Sequence, residues 1–313
     1  MSSEFARIAL LREIFGALPP PSLGIGDDAA VLHDPRPLVA TVDASVEGVH
    51  FRRDLLTLEE ASARACEAAM SDVAAMGATL SGPGCGLLLA WTLPASLTDG
   101  EVRSLAVGAA RAATRAGTRV VGGNLAGGAQ LTLTTTVLGR CDGPPLRRDG
   151  ARPGDVLAVS GAIGLAAIGL RALLDARDPS RFASAIARWR APTARLARGE
   201  AVRRLATACI DVSDGLAQDA GHLASASGVA LVLDLPALRA LIPPEVAGGV
   251  EAVDDAITAG GEDYELLAAG PREAFDDAWT VVGEVREGAG VHRRDGARIS
   301  PLPARGWDHF SLT

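Results

Sequence analysis

Short apolar runs alternate with longer segments of helical period along the chain, and this alternation limits the folds that it can adopt. The runs at 38–43 and 86–93 have the composition of buried strands. Each run precedes a capping box, at 57–60 and 98–101, where a threonine is followed three residues later by a glutamate. Strands that alternate with helices build α/β folds, so we predict an α/β (α+β) architecture.

A turn-rich stretch at 141–154, which contains three prolines and three glycines, interrupts this alternation. Such a cluster is typical of a boundary between compact regions. A chain of 313 residues is long enough for two ordinary domains. We therefore predict one domain at 1–147 and a second at 148–313.

The composition excludes several classes of function. All 30 basic residues are arginine, and the sequence contains no lysine. P-loop NTPases and protein kinases need a lysine on the phosphates, and Schiff-base chemistry needs a lysine amine, so these classes are excluded. The formal net charge of −8 argues against nucleic acid as a partner, because a protein that binds the phosphate backbone needs a basic face.

Cysteine usage and hydropathy restrict the location of the protein. The four cysteines lie far apart, without the spacing of a zinc site or a disulfide framework. No apolar run approaches the roughly 18 residues that are needed to cross a bilayer. The first residues lack the basic start and apolar core of a secretion signal. We therefore expect a cytoplasmic protein that does not bind a membrane.

Aspartates recur in apolar or glycine-rich surroundings. Asp43 and Asp211 each follow an apolar strand segment, and Asp72 interrupts a helix of small apolar residues. Further aspartates lie in the segments 24–31 and 209–219. Magnesium takes oxygen ligands of this kind and shares them with substrate phosphates. The five histidines are dispersed, so a histidine-based zinc site is not expected.

Several of these residues also have a plainer interpretation. Asp27 and Asp28 could form an Asx-turn, and Asp72 could be an ordinary surface acid of its helix. Ser213 or Asp214 could cap the helix that follows them. The residues taken one at a time leave both interpretations open.

Eight motifs are spread over almost the whole chain: GIGDDAAV, TVDASVEGVHF, SDVAAMGA, GGNL, RRDGARPGD, IDVSDGLAQD, GGEDYELL and GWDHF. In this order they resemble the thiamine-monophosphate kinase family, whose superfamily also contains aminoimidazole-ribonucleotide synthetase and selenophosphate synthetase. The first motif is shared across the superfamily, whereas VEGVHF, GGEDYEL and GWDHF are more specific to this kinase.

The resemblance implies a fold and a reaction. The implied fold is aminoimidazole-ribonucleotide synthetase-like, with a mixed-sheet domain (1–147) for ATP, magnesium and dimerisation. A C-terminal α/β domain (148–313) completes the active site. The implied reaction is direct in-line transfer of the γ-phosphoryl group of ATP to thiamine monophosphate, assisted by several Mg²⁺ ions, with no side chain as nucleophile or base. The family is a homodimer that pairs through its N-terminal sheets.

The resemblance also implies the site residues, motif by motif. The implied metal ligands are Asp28, Thr41, Asp43, Asp72, Asp211 and Asp214, with Asp27 acting through water. The implied ATP contacts are Gly122, Gly123, Arg148 and Ser213, and those to thiamine monophosphate are His50, Glu262 and Trp307. Some of these residues also have a plainer interpretation. The glycine pair could be only a turn, His50 a structural histidine, and Trp307 a C-terminal anchor that packs into the core.

The motif at 122–125 departs from the family pattern, which continues the glycine pair with aspartate. Asn124 offers an amide oxygen to a metal ion but no negative charge, so we expect weaker affinity for one ion. The departure leaves two alternatives open. The chain could be another ATP-using member of the superfamily, similar to selenophosphate or aminoimidazole-ribonucleotide synthetase, or a nucleotide-binding paralogue without activity.

Overall fold

The computed structural model describes residues 13–15, 34, 36–247 and 250–307. The predicted ligands Asp27 and Asp28 lie outside the described residues. The chain divides into two compact units. The first unit contains the described residues up to Val73 together with Ala78–Pro144, and the second contains Ala74–Gly77 and the described residues from Pro145 onward.

The first unit is built on a four-stranded mixed sheet. Its elements are β1 (Leu38–Val46), α1 (Leu58–Ala75, whose last two residues count with the second unit), β2 (Gly86–Leu93), α2 (Asp99–Arg115), β3 (Val120–Gly127) and β4 (Thr132–Arg140). The strand order is β1-β4-β2-β3. β4 is antiparallel to β1 and β2, and β3 is parallel to β2, because α2 carries the chain back between them.

Both predicted capping boxes are formed. The Glu60 carboxylate accepts hydrogen bonds from the backbone N–H and the hydroxyl of Thr57, and Thr57 Oγ1 accepts one from the Glu60 N–H. Thr98 and Glu101 make the same exchange at the start of α2. The two helices begin where the sequence predicts because these side chains satisfy backbone N–H groups that the first turn leaves without helical partners.

One face of this sheet is buried and the other is open. Along β4, every second residue from 133 to 139 is buried, and α1 covers this face, with Cys66 Sγ 3.9 Å from Thr135 Oγ1. On the opposite face of β1, Val42 is 64% and Leu38 is 52% exposed. Successive side chains of a strand point to opposite faces, so this division follows from the strand register.

The second unit is built on a seven-stranded sheet of order β11-β10-β7-β9-β5-β8-β6. Its elements are β5 (Val156–Val159), α3 (Leu165–Leu174), α4 (Ala183–Arg190), α5 (Leu196–Val202), β6 (Ala208–Val212), α6 (Leu216–Ser227), β7 (Ala230–Asp234), α7 (Leu235–Arg239), α8 (Val250–Ala259), β8 (Glu265–Gly270), a 3-10 turn (Arg272–Ala274), β9 (Thr280–Arg286), β10 (Gly290–Asp295) and β11 (Arg298–Pro301). β10 and β7 are parallel, and the other neighbouring strands are antiparallel.

The cysteines are part of the buried interior. All four are buried and none of them forms a disulfide, as their spacing predicts. Burial raises the pKa of the Cys66 thiol to about 12, which keeps it protonated and unreactive at neutral pH. None of the helices in the described ranges has the length and hydropathy to cross a membrane.

A close contact between helix backbones fixes α2 against α1. A Cβ at Gly108 would collide with the carbonyl oxygen of Glu59. We expect Gly108→Ala to lower the free energy of unfolding by about 1–3 kcal/mol, because backbone rather than a flexible side chain would have to move. Urea denaturation of the purified variant measures this difference.

Gly100, in the first turn of the same helix, is the matched control. A Cβ there would have no neighbour closer than 3.9 Å. Gly100→Ala should therefore leave stability unchanged or raise it by about 0.5 kcal/mol, since alanine favours helix over glycine. Equal stability of the two variants would contradict the close packing of α2 on α1.

Candidate functional site

The first unit brings two of the predicted metal ligands together. Thr41 Oγ1 donates a 2.6 Å hydrogen bond to Asp72 Oδ2, which joins β1 to α1. Both side chains are partly buried. Asp43 lies two residues further along β1, on the same face, and its exposed carboxylate accepts a hydrogen bond from the Ala44 N–H. Thr41, Asp43 and Asp72 therefore lie on one side of the sheet.

Asn124 is on the opposite face of this sheet. The strand register aligns Asp43 with Gly123 across β4 and β2, whereas Asn124 aligns with Ala44. Side chains in adjacent rows of a sheet point to opposite faces. Asn124 is exposed there, so within this sheet its amide is separated from Thr41 and Asp43.

The glycine pair continues β3 rather than forming the turn that was one of its interpretations. Gly123 has a φ of 156°, and a Cβ there would collide with the carbonyl oxygen of Leu89 in β2. A Cβ at Gly122 would lie 3.0 Å from a methyl of Leu88. Strand pairing therefore requires glycine at Gly123, and the role of the pair in ATP binding stays a prediction.

His50 closes a turn directly after β1. Its ring Nδ1 accepts a 3.0 Å hydrogen bond from the backbone N–H of Val46. The backbone N–H of His50 donates to the Val46 carbonyl at 2.9 Å. An accepting Nδ1 carries no proton, so this contact favours the neutral ring with its proton on Nε2. The structural role is thus present, and contact with thiamine monophosphate stays a prediction.

The second unit contains the other predicted metal ligands. Asp211 lies in β6, whose residues are all buried, and is 4% exposed. Asp214 lies in the loop before α6, where its Oδ2 accepts a 3.2 Å hydrogen bond from Gln218 Nε2. A carboxylate contributes little to apolar packing and is costly to bury, so the position of Asp211 favours a functional interpretation.

Asp219, rather than Ser213 or Asp214, caps the loop before α6. The helix begins after Gly215, and no side chain caps it in the usual way. Instead, Asp219 Oδ2 accepts three hydrogen bonds of 3.1 Å, from the N–H groups of Ser213, Asp214 and Gly215. The capping interpretation of Ser213 and Asp214 is therefore wrong, because the cap residue of α6 is Gly215 and no side chain makes a capping hydrogen bond.

Three predicted segments of the second unit converge through main-chain hydrogen bonds. The Glu262 N–H donates to the Ser213 carbonyl at 2.7 Å, and the Trp307 N–H donates to the Asp214 carbonyl at 3.0 Å. Gln218 Nε2 also donates to the Trp307 carbonyl at 3.0 Å. The structure thus gathers Ser213, Asp214, Glu262 and Trp307, from motifs about 50 residues apart, at one end of β6 and α6.

The loop that carries Glu262 has an unusual backbone. Glu262 has a φ of 70° and Tyr264 a φ of 50°, both in the left-handed region. A Cβ at Gly261 would collide with the Ser213 carbonyl oxygen, so glycine is required for the close approach of the two loops. Non-glycine residues in this conformation cost of order 1 kcal/mol or more and are found most often at functional sites.

Two buried acids support this loop and were not predicted. Asp263 accepts hydrogen bonds from the N–H groups of Gly164 (2.5 Å) and Ala166 (3.0 Å) at the start of α3. Burial raises the pKa of Asp263 to about 7. Glu265 is bound by Arg195, through two hydrogen bonds of 2.6 and 2.8 Å, and by Arg188. The signal for these acids was the charge of GGEDYELL, where only Glu262 was assigned a role.

Trp189 is a further residue that the sequence analysis missed. Its Nε1 donates a 2.8 Å hydrogen bond to Glu262 Oε2. It lies in α4, a helix of eight residues that the hydrophobic pattern did not predict. A tryptophan between two arginines at 188–190 was the available signal, since an indole that is buried needs a partner for its N–H.

The roles of Arg148 and of the metal ligands stay predictions. Arg148 is exposed, and its carbonyl oxygen accepts a 2.7 Å hydrogen bond from Ser227 Oγ at the end of α6. In the described part of the chain, no group of three or more His, Cys, Asp or Glu side chains is arranged to hold a metal ion. The predicted ligands are divided between the two units, and their role stays a prediction.

Comparison with known proteins shows the family to which the chain belongs. The family described as AIR synthase related protein, N-terminal domain, matches residues 26–141. The thiamine-monophosphate kinase of Aquifex aeolicus (strain VF5) is 34% identical over 98% of this chain and 98% of its own length. That of Halobacterium salinarum is 35% identical over 91% of this chain and 94% of its own length. The chain belongs to the thiamine-monophosphate kinase family.

Solved structures agree with this membership. Thiamine-monophosphate kinase from Stenotrophomonas maltophilia K279a superimposes with a TM-score of 0.82 at 31% identity, covering 93% of this chain and 96% of its own. A structure of AaThiL complexed with AMPPCP and TMP has a TM-score of 0.79 at 30% identity, covering 98% and 97%. The predicted α/β, aminoimidazole-ribonucleotide synthetase-like fold is confirmed, and membership of the family makes the chain a kinase.

Removal of the Asp219 carboxylate should loosen the loop before α6. Asp219→Ala leaves three backbone N–H groups without their acceptor, so we expect the free energy of unfolding to fall by about 2–4 kcal/mol. Asp219→Asn keeps one acceptor oxygen and should lose less. Chemical denaturation of both variants measures the difference, and an alanine variant as stable as the wild type would refute this role for Asp219.

Proposed function

We propose that the protein transfers the γ-phosphoryl group of ATP to the phosphate of thiamine monophosphate, giving thiamine diphosphate and ADP. The observation that carries the proposal is the convergence of Ser213, Asp214, Glu262 and Trp307, each from a family motif, through main-chain hydrogen bonds. The AaThiL structure, at 30% identity over nearly the whole chain, holds AMPPCP, an ATP analogue, and TMP together.

The converging segments contain residues suited to the phosphate donor, ATP, and residues suited to the acceptor, thiamine monophosphate. Ser213 belongs to the ATP side, together with Gly122, Gly123 and Arg148. Glu262 and Trp307 belong to the thiamine side, where a carboxylate and an aromatic face both attract the cationic thiazolium ring. Trp307 is 50% exposed, which leaves ring surface for a ligand. His50 is the third proposed contact to thiamine monophosphate.

The residues fit magnesium as the partner of these phosphates. Thr41 donates its hydroxyl proton to Asp72, so the lone pairs of Thr41 Oγ1 remain for a cation. All proposed ligands are oxygen donors, which Mg²⁺ prefers. We propose that Asp28, Thr41, Asp43, Asp72, Asp211 and Asp214 hold the ions, with Asp27 acting through water. Bound Mg²⁺ would supply charge neutralisation between the two polyanions. Asn124 is a weaker candidate, because the strand register separates its side chain from Thr41 and Asp43.

No side chain is needed as nucleophile or base in this reaction. The accepting phosphate oxygen is already deprotonated at neutral pH, so the work of the protein is to bind and align the donor and the acceptor. The proposed site residues are mainly acids, glycines and aromatic rings, which can bind and align substrates. They therefore agree with a direct in-line transfer.

The test is to incubate the protein with ATP, Mg²⁺ and thiamine monophosphate and to measure thiamine diphosphate by chromatography. We expect the diphosphate to form, and Asp72→Asn to lower kcat by on the order of 100-fold, because a negative charge beside the phosphates is lost. Asp175→Asn, which removes an exposed acid paired with Arg177, is the control and should be as active as the wild type.

Other outcomes of this assay would identify the alternatives. ATP binding without product would indicate a nucleotide-binding paralogue. Turnover only with a different acceptor would indicate another member of the superfamily. The cytoplasmic location and the absence of a nucleic acid or membrane partner stay predictions from the sequence.

We also propose that the protein is a homodimer that pairs through the open face of its first sheet. This face presents Leu38 and Val42, both more than half exposed, beside alternating threonines of β4. Large apolar side chains side by side on a sheet face favour association with a second copy of the same surface. The ATP-binding residues of the same sheet would then lie near the junction.

A charge on this face should prevent dimerisation. We expect Val42→Arg to give a monomer in light scattering coupled to size-exclusion chromatography, because burial of an unpaired guanidinium at an interface is costly. Val107→Arg is the control, since Val107 is also exposed (39%) but lies on α2. A Val42→Arg variant with the same mass in solution as the wild type would rule out this face as the interface.

A further inference from the structure

One carboxylate oxygen of Glu262 is held by an indole from the core. Trp189 Nε1 donates a 2.8 Å hydrogen bond to Glu262 Oε2. The Trp189 side chain is 2% exposed, so packing fixes the donor, whereas Glu262 is only partly buried. A hydrogen bond from a fixed donor to a carboxylate is strong and directional, and more so away from water. The indole therefore sets the direction of this side chain.

The backbone of Glu262 is fixed as well. It has a φ of 70°, its N–H donates to the Ser213 carbonyl, and Gly261 allows the two loops to touch. A glutamate persists in this conformation only where the surrounding structure imposes it. With both ends constrained, Glu262 holds its charge at one position.

The helix that carries Trp189 is a rigid support. Arg188, the preceding residue, donates to the Asp263 carbonyl at 3.2 Å and also binds the Glu265 carboxylate. α4 packs tightly on α3, since a Cβ at Gly169 would collide with the Ala185 carbonyl oxygen. Two consecutive residues of α4 thus hold the side chain of residue 262 and the backbone of residue 263.

We propose that Trp189 is a positioning residue for thiamine binding, which acts by fixing the Glu262 carboxylate where the cationic ring of the substrate binds. This inference rests on the proposed function, in which Glu262 contacts thiamine monophosphate. A preorganised carboxylate binds a cation without first losing side-chain freedom, so loss of the indole N–H weakens substrate binding. ATP has other contacts in the proposed site, and its binding does not depend on Trp189.

Trp189→Phe tests the inference, because it keeps a buried aromatic ring and removes the donor. We expect KM for thiamine monophosphate to rise about 10-fold, the loss of one hydrogen bond to a charged group, while kcat and KM for ATP stay near wild-type values. Trp279→Phe is the matched control. Trp279 is a buried tryptophan of the same unit that packs on Phe275, and its replacement should leave both KM values unchanged.

A double-mutant cycle separates positioning from a general loss of structure. Glu262→Ala should raise KM for thiamine monophosphate, and the addition of Trp189→Phe should raise it no further. Additive effects, or an equal rise of both KM values in Trp189→Phe, would overturn the inference. Trp189→Met, which also lacks the donor, gives the same measurement should the phenylalanine variant not fold.

The wild type, assayed beside the variants, distinguishes the two levels of the proposal. A wild type that does not convert thiamine monophosphate overturns the proposed function and this inference together. An active wild type with an unchanged KM in Trp189→Phe overturns the role of Trp189 alone.

Discussion

The loops that carry the candidate site of the second unit keep their shape because buried carboxylates accept hydrogen bonds from the main chain. Asp219 accepts three N–H groups before α6, and Asp263 accepts two at the start of α3. Burial raises the pKa of both acids to about 7, and the backbone donors offset part of that cost. Ser213, Asp214 and Glu262 occupy their positions because these two acids order the turns around them.

Arginine side chains bind a third buried acid of this unit, Glu265. Glu265, which is 1% exposed, is matched by the forked guanidinium of Arg195 and by Arg188. A planar guanidinium can bind both oxygens of a carboxylate at once, which a lysine ammonium cannot. A chain whose basic residues are all arginine is therefore well equipped for buried ion pairs.

The sequence predicted those parts of the fold that local patterns determine. Capping boxes located α1 and α2, and the apolar run at 86–93 matched β2. It did not predict α4 or α8, because helices of eight to ten residues have too few turns for a clear period. Nor did it predict that β3 continues through the glycine pair, since the pairing of this strand with β2 is not local.

In the candidate site, too, the sequence predicted what local motifs specify and missed what contacts between distant segments specify. Motifs identified Ser213, Asp214, Glu262 and Trp307, and the fold brings these residues together. The partners of these residues were missed, because Asp219 and Trp189 act through contacts between segments that spacing alone does not reveal. The strand register determines the face on which Asn124 lies, and the GGNL motif alone does not reveal that register.

The left-handed backbone at Glu262 has a consequence for how this protein could be stabilised. Glycine adopts such a φ without steric cost, so the backbone conformation taken alone would favour glycine at 262 by of order 1 kcal/mol. Such a variant would also lose the carboxylate that accepts a hydrogen bond from Trp189 Nε1. The backbone conformation thus favours glycine at this position, whereas the proposed recognition of a cationic ligand needs the glutamate carboxylate.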